Sequence, residues 1–376
     1  MKKIFFFFLF SLLFIPNVYA GENLLQGAKS GILIENSTGE ILYEKNKNEK
    51  VSIASLTKMM VQIIVLENIE AGNIKWNDIV TASSNASGMG GTQIWLSTGE
   101  KMSVEDLFKG MSIASANDAT VALAEYISGT EDNFVKLMNK KVNELGLKNT
   151  VFKNCTGLDQ NGHFSTAEDL AVIARELLKH EEIYRFSSVY EDYIRVNTPN
   201  KYWLVNTNKL VRFYEGADGL KTGFTDDAGY TMAVTAKRNN MRLIAIVLGE
   251  KESKVRNNET IDLLNFGFDN FKVELLKNKG EVIETVEIER GTKDKIELVT
   301  KDELSILTKK SNPNVNYTYN VVIDNFKLPV KKGDVIGKIE LIDKNKIVKN
   351  IDLISNDTVN KIGIFKFLFS YFTSVF

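Results

Sequence analysis

The pattern of hydrophobic and polar positions changes along the chain and predicts different elements in successive regions. Two short apolar runs around Asn36-Ser37-Thr38-Gly39 predict a β-hairpin over residues 31–43. From Ser55 to Gly72 apolar residues recur at helical spacing, and Gly72 is well placed to end that helix. Further helices are predicted over 104–111, 116–127, 131–145 and 166–180.

A second hairpin is predicted where two β-rich runs, 229–237 and 241–249, flank the polar residues Arg238-Asn239-Asn240. A helix-compatible stretch over 253–268 follows. Strands at both ends of this region, with helices between them, indicate an α/β (α+β) domain. Because the hairpins are local, we expect a largely antiparallel sheet flanked by helices, over residues 21–270.

Beyond about residue 271 the helical periodicity fades, and short β-prone runs alternate with Lys, Asp, Asn and Gly turns. These runs are 281–288, 295–299, 317–323, 335–342 and 347–354. The pattern predicts a second, small all-β domain over residues 271–356, of a size that can fold alone.

The two ends of the chain differ from the rest. Lys2 and Lys3 precede an apolar run over 4–15 and small residues ending at Ala20. This order is typical of a secretory signal peptide, so residues 1–20 are expected to be removed after export. An uncleaved membrane anchor is the alternative, but the run is shorter than the ~20 residues that span a bilayer.

The last segment, residues 357–376, is rich in phenylalanine. Lys366, Ser370 and Thr373 fall at i, i+4 and i+7 and leave one narrow polar stripe on a helix that is otherwise apolar. This pattern favours an amphipathic helix lying in the membrane interface, which would hold the exported protein at the extracytoplasmic face of the cell membrane. A terminal helix packed on the β domain is the alternative.

The amino-acid composition argues against several kinds of binding site and catalytic site. A net charge of -1 over 376 residues gives no electrostatic case for binding nucleic acid. Cys155 is the only cysteine, so no intramolecular disulfide can form. With only His163 and His180 besides, the chain lacks the ligand spacing of a zinc site and supplies a Ser-His-Asp triad poorly. We expect no metal and no cofactor.

The first candidate motif is Ser55-Leu56-Thr57-Lys58, at the start of the first predicted helix. A spacing of i, i+3 places the Ser55 hydroxyl and the Lys58 amine on one face. A serine hydroxyl is a weak nucleophile that needs an adjacent base, and a desolvated lysine can lose its proton and serve as that base. Many helices begin with serine and carry lysine, so this motif alone decides nothing.

Two further motifs carry suitable groups. Ser115-Ala116-Asn117 stands between two predicted helices, where the Ser115 hydroxyl could relay a proton and the Asn117 amide could bind a substrate carbonyl and a lysine. Its alternative role is a plain helix N-cap.

The other motif, Lys221-Thr222-Gly223, leads into the second hairpin. On an edge strand Lys221 would anchor a substrate carboxylate beside the Thr222 hydroxyl, and Gly223 would allow close approach of a ligand. The next backbone N–H, that of Phe224, could pair with that of Ser55 as an oxyanion hole. A turn containing glycine is the alternative.

The order and spacing of the three motifs are the signature of penicillin-binding proteins and class A β-lactamases. Together with the segments 54–59, 154–159 and 218–223, they resemble the low-molecular-weight D-alanyl-D-alanine carboxypeptidases. Residues 206–210 resemble the sporulation-associated branch. The resemblance implies a penicillin-binding/β-lactamase-like transpeptidase fold for the first domain.

The resemblance also implies a reaction. Ser55 would attack the carbonyl of the penultimate D-Ala of a peptidoglycan pentapeptide, release the terminal D-Ala and leave an acyl-enzyme that water hydrolyses. Lys58 would be the base for acylation, and β-lactams would be covalent inhibitors. The hydrogen-bonded wall of the site would comprise Ser115, Asn117 and Lys221.

Three further positions follow from the resemblance. Arg256 matches an arginine that helps to orient the substrate-binding strand or the substrate carboxylate. Ala116 stands where the family often has glycine, and Phe224 where some members have histidine. These two departures remove no functional group assigned above, but they alter the shape of the pocket.

Two other functions share these motifs. A class A β-lactamase would lack the β domain and the anchor and would place a deacylating glutamate before Lys221; Glu168 falls instead at a predicted helix start. A penicillin-binding sensor without turnover would have no need of an intact Ser55, Lys58 and Lys221. We therefore expect a hydrolase, a serine-type D-Ala-D-Ala carboxypeptidase.

Overall fold

The computed structural model describes residues 23–312, 317–343 and 346–363. The described residues fall into two units. The first contains 23–34, 41–235 and 244–264, and the second contains 35–40, 236–243 and the described residues from 265 onward. Within these ranges no helix is long and apolar enough to cross a membrane.

A five-stranded sheet in the order β2-β1-β9-β8-β7 contains both predicted hairpins, with β7 at its edge. Strand β1 pairs antiparallel with β2, and β8 is followed directly by its neighbour β9. Two small sheets, β3-β4 and β5-β6, were not predicted. The strands are β1 Ser30–Glu35, β2 Ile41–Lys45, β3 Ile79–Thr81, β4 Lys101–Ser103, β5 Glu191–Ile194, β6 Tyr202–Val205, β7 Ala217–Thr225, β8 Gly229–Arg238 and β9 Met241–Glu250.

Helix α1 lies at the centre of the first unit and contacts α3, α4, α5 and α6. Its residues from Lys58 to Leu66 are all buried, which a helix surrounded by other elements requires. The helices are α1 Lys58–Glu70, α2 Ser84–Ser87, α3 Val104–Ile113, α4 Asn117–Ser128, α5 Glu131–Glu144, α6 Ala167–Leu177, α7 Tyr184–Ser187, α8 Leu210–Phe213 and α9 Ser253–Asn270.

The predicted helices are present, with two corrected boundaries. The α-helix expected from Ser55 begins at Lys58, because the preceding turn, Ala54–Thr57, is a 3-10 helix. The helix expected over 166–180 spans Ala167–Leu177. The Thr166 side chain, which accepts a hydrogen bond from the backbone N–H of Asp169, caps its start.

The second unit contains an all-β fold. One sheet has the order β11-β12-β16-β15-β14, and β10 pairs with β13. Alternate residues such as Ile296 and Leu298 point into a core that Ile339 and Leu353 complete. The strands are β10 Phe271–Lys277, β11 Val282–Glu287, β12 Lys295–Thr300, β13 Leu304–Lys309, β14 Thr318–Ile323, β15 Val335–Asp343 and β16 Lys346–Ser355.

Strands β10 and β13 were missed by the sequence prediction. Helix α9 ends at Asn270 and β10 begins at Phe271, so no Gly or Pro marks the change from helix to strand.

The predicted terminal segments are largely outside the described residues. This applies to the signal peptide, 1–20, and to residues 364–376 of the anchor helix. The anchor helix was predicted from residue 357, but Val359 and Lys361 form β-bridges with Val330 and Gly291. The backbone is therefore extended at these two residues, because their N–H and C=O groups pair across to other segments instead of along a helix.

Two buried glutamates meet beside the first described residues. Glu250 at the end of β9 and Glu259 in α9 are only 2% and 6% exposed. The Glu259 Oε1 atom accepts the backbone N–H groups of Gln26 and Gly27 at 2.7 and 2.8 Å. Burial, together with the hydrogen bond to Glu259, raises the pKa of Glu250 to about 7, so the pair holds a shared proton below neutral pH.

This pair should make stability depend on pH. The pKa of Glu250 in the folded state lies above the ordinary value of 4.5, so the folded protein binds more protons between these values. The stabilisation is therefore fully present below 4.5 and is lost as the pH rises through about 7. Glu250→Gln, whose amide donates to Glu259 at any pH, should flatten the decline of Tm between pH 5 and pH 9. An unchanged slope in this variant, matching that of the exposed control Glu252→Gln, would contradict the assignment.

Candidate active site

Ser55 and Lys58 are brought together by the change from 3-10 turn to α-helix at the start of α1. The Lys58 Nζ atom lies 2.8 Å from the Ser55 Oγ atom. Lys58 is fully buried, and this burial lowers its pKa to about 7. A lysine with that pKa is partly neutral at physiological pH, so it can take a proton from the adjacent hydroxyl.

Lys58 is held by three acceptors from different parts of the chain. Besides Ser55, Nζ donates to Asn117 Oδ1 at 2.7 Å and to the backbone carbonyl of Thr156 at 2.8 Å. An ammonium group has three N–H donors, and these partners use all of them. The amine is therefore fixed in position relative to the Ser55 hydroxyl.

Asn117 forms a second side of the site, and Ser115 precedes it by two residues. Ser115 lies in the turn between α3 and α4 with a φ of 68°, and Asn117 is the first residue of α4. While Asn117 Oδ1 faces Lys58, its Nδ2 atom donates to the carbonyl of Gly90 at 2.7 Å. The Asn117 side chain thus links the amine to the segment that precedes α3.

Strand β7 brings Lys221, Thr222 and Gly223 to the third side. A Cβ atom added to Gly223 would lie 2.9 Å from the Ser55 backbone nitrogen and 2.6 Å from Thr231 Oγ1. Only glycine allows this close approach, as the sequence predicted. The backbone of this edge strand therefore runs directly beside the nucleophile turn.

Lys221 places a second buried amine in the site. It is 1% exposed, and its Nζ atom donates to the carbonyl of Thr222 at 2.9 Å. Burial, and then the positive charges of Lys58 and Arg256, hold its pKa well below the usual lysine range. An anionic substrate group would relieve this cost by supplying a counter-charge.

Arg256 lies beside β8 rather than on β7. Its Nη1 atom donates to the carbonyl of Thr231 at 3.3 Å, and its Nε and Nη2 atoms bind Asn257. Because Thr231 in turn faces Gly223, these contacts support the strand next to β7. Phe224 projects from the other end of the motif, about half exposed, and its ring lies 4.4 Å from that of Tyr230.

No role was predicted from the sequence for the loop over 153–158. Its Thr156 carbonyl contacts Lys58, and Gly157 has a φ of 84°. A Cβ atom on Gly157 would lie 1.9 Å from the Ala54 carbonyl oxygen, so this position requires glycine. The run Thr156-Gly157 was a visible turn signal, but a backbone carbonyl has no signature of its own.

Glu168, the residue considered as a deacylating base, lies in the first turn of α6. Its carboxylate forms an ion pair with Lys47 at 3.3 Å.

Comparisons with known proteins identify the family. The family model of D-alanyl-D-alanine carboxypeptidases matches residues 20–252, and that of the penicillin-binding protein 5 C-terminal domain matches 271–361. D-alanyl-D-alanine carboxypeptidase DacF of Bacillus subtilis is 42% identical, over 95% of this chain and 94% of its own length. DacC of Escherichia coli is 33% identical, over 95% and 91%.

Solved structures give the same result for the fold. Penicillin-binding protein 5 of Haemophilus influenzae has a TM-score of 0.74 at 33% identity, covering 89% of this chain and 98% of its own. The ampicillin-bound penicillin-binding protein D2 of Listeria monocytogenes has a TM-score of 0.60 at 33% identity, over 66% and 100%. The expected penicillin-binding fold with a small all-β domain is confirmed, and the chain belongs to the D-alanyl-D-alanine carboxypeptidase family of serine peptidases.

Proposed function

We propose that this protein removes the terminal D-Ala from peptidoglycan stem peptides, with Ser55 as the nucleophile and Lys58 as its base. One observation carries the assignment: a fully buried lysine with a pKa of about 7 lies 2.8 Å from the serine hydroxyl. A neutral amine at that distance supplies the general base that a serine nucleophile needs.

Acylation begins when Lys58 takes the proton of the Ser55 hydroxyl as Oγ bonds to the carbonyl carbon of the penultimate D-Ala. The carbonyl oxygen becomes an oxyanion, for which the backbone N–H groups of Ser55 and Phe224 are the donors. As the intermediate collapses, the proton passes from Lys58, through the Ser115 hydroxyl, to the nitrogen of the departing D-Ala. The C–N bond breaks, and the ester on Ser55 remains.

Deacylation repeats these transfers with water. Lys58 takes a proton from the attacking water, and the oxyanion that forms accepts hydrogen bonds from the same backbone N–H groups, those of Ser55 and Phe224. The proton then returns to Ser55 Oγ as the ester bond breaks, which frees the shortened peptide and restores the site.

The carboxylate of the terminal D-Ala is recognised by Lys221 and Thr222. Lys221 is buried, so pairing with an anion removes the cost of an uncompensated charge. Asn117 binds the peptide while it holds Lys58. Arg256 acts indirectly: through the Thr231 carbonyl it keeps β8 and β7 in place, and its charge adds to the positive potential there.

The same site accounts for inhibition by β-lactams. A β-lactam presents a strained amide and a carboxylate to the groups that bind D-Ala-D-Ala, and its ring opening leaves an ester on Ser55. The Ser55 adduct should be long-lived, because Glu168, the residue considered as the deacylating base of a β-lactamase, is paired with Lys47.

The test uses a diacetyl-Lys-D-Ala-D-Ala tripeptide and the mature protein. We expect one free D-Ala to be released for each tripeptide consumed, over many turnovers of the enzyme. In a parallel reaction with penicillin, intact-mass spectrometry should detect the adduct long after mixing. Acylation by penicillin without D-Ala release would favour the sensor. Rapid turnover of penicillin, with no lasting adduct, would favour the β-lactamase.

We further propose that the protein acts outside the cytoplasm, at the membrane surface, through the phenylalanine-rich tail. The support is the phenylalanine-rich sequence of 364–376, with its one narrow polar stripe. This segment begins three residues after Lys361, which forms a β-bridge with Gly291.

Deleting residues 364–376 should therefore move the protein from the membrane pellet to the supernatant and leave D-Ala release from the soluble tripeptide unchanged. A second, full-length variant replaces Phe365, Phe367 and Phe369 with serine, which removes apolar surface without shortening the tail. This variant should also move to the supernatant. If the truncated protein still sediments with vesicles, the anchor assignment is wrong.

A further inference from the structure

His163 lies next to the active-site turn, and the reaction proposed above does not use it. Its ring is buried, with Nε2 2.8 Å from Thr57 Oγ1. Its Nδ1 atom accepts the backbone N–H of Lys153 at 3.3 Å. Because a backbone N–H can only donate, Nδ1 carries no proton, and the neutral ring donates its Nε2 proton to Thr57.

This histidine stays neutral while the active site titrates. Burial lowers its pKa to about 4, against a weaker opposing effect of Asp159. Over the pH range in which Lys58 changes its charge, His163 is therefore a fixed link between two segments and not a second titrating group.

The two linked segments are those that surround Lys58. Thr57 lies between the nucleophile and Lys58, and Lys153 begins the loop whose Thr156 carbonyl binds Lys58 Nζ at 2.8 Å. The same loop presses Gly157 against the Ala54 carbonyl. His163 thus connects the start of the loop to the turn that the rest of the loop contacts.

We propose that His163 is a positioning residue for Lys58: by joining Thr57 to Lys153, it holds the loop over 153–158 against the amine. The inference rests on the proposed role of Lys58 as base. Burial is the largest cause of the lowered pKa of Lys58, and the charged or titratable groups that face it are Asp118, Cys155 and Lys221. If the loop moves away, water reaches the amine and its pKa rises toward the ordinary value.

The experiment measures the acylation rate by a fluorescent penicillin between pH 5.5 and pH 9.5 in the full-length protein. His163→Ala should slow acylation at pH 7 by roughly 10- to 100-fold. The acidic limb, which is the part of the profile where the rate rises with pH, should move to higher pH. His163→Gln should stay within about threefold of the unsubstituted protein, since its amide can donate to Thr57 and accept from Lys153. Thr57→Val keeps the shape of the side chain, removes the acceptor, and should behave like His163→Ala.

The matched control is the other histidine. His180 is also buried, with Nδ1 2.7 Å from Glu70 Oε1, so His180→Ala should lower Tm without moving the acidic limb. An unmoved limb in His163→Ala, with only Tm reduced, would overturn the proposal; if that variant does not fold, Thr57→Val decides in the same way. A profile of the unsubstituted protein without any acidic limb would instead refute the role of Lys58.

Discussion

Ser55→Ala is expected to abolish covalent labelling by penicillin and to reduce D-Ala release by roughly 10⁴-fold or more. The alanine side chain has no oxygen to form the ester, and Lys58 then has no hydroxyl to deprotonate. The remaining contacts of Lys58, to Asn117 and Thr156, keep the amine in place, so the variant should fold with little change in Tm. Intact-mass spectrometry after incubation with penicillin measures the labelling directly.

The control for this experiment is Ser188→Ala. The Ser188 hydroxyl donates to the Tyr184 carbonyl on the surface of the same unit, so its loss should leave labelling intact. Labelling that persists in Ser55→Ala, with the adduct mapped to another residue, would refute the assignment of the nucleophile.

Replacing Lys58 with methionine should slow acylation by roughly 10³-fold, within the range for loss of a general base. In the unsubstituted protein the rate should rise with pH and level off above about 7, because Lys58 accepts a proton only after losing its own, and its pKa is about 7. The methionine variant should lose this dependence along with the rate. Stopped-flow acylation by a chromogenic cephalosporin across pH 5.5–9.5 measures both.

Lys58→Arg separates a base from a fixed positive charge. Arginine keeps the charge and several N–H donors, but it does not lose its proton in proteins. We expect acylation as slow as in the methionine variant. If the arginine variant keeps most of the rate, Lys58 acts through its charge, and the base must be sought elsewhere.

Much of the fold could be predicted from the sequence because its elements are local. The hairpins β1-β2 and β8-β9 and the helices α1, α3, α4, α5 and α6 carry their own periodicity. Side chains at the preceding residues also cap the starts of α3, α5 and α6. Strands β10 and β13 could not be predicted in this way. Their pairing joins segments about thirty residues apart, and no turn residue separates β10 from the preceding helix.

In the active site, too, contacts between residues close in sequence could be predicted, and contacts between distant segments largely could not. Ser55 and Lys58 are one turn apart, so their contact follows from spacing alone. The chemistry of the Asn117 amide suggested a lysine partner, and the resemblance placed Asn117 and Lys58 in one site. The contact of Lys58 with the Thr156 carbonyl was not predicted. Arg256 could be matched by position, but its partner, the Thr231 carbonyl, depends on how α9 packs beside β8.

The contact between Gly157 and Ala54 bears on how antibiotic resistance could arise in this protein. A side chain at position 157 would collide with the turn that carries the nucleophile. The groups that contact Lys58 are likewise needed both for acylation of Ser55 by a β-lactam and for its acylation by the wall peptide. Mutations here would sacrifice the enzyme together with its sensitivity, so we expect tolerated resistance mutations to fall at the exposed rim, for example at Phe224, rather than in the loop.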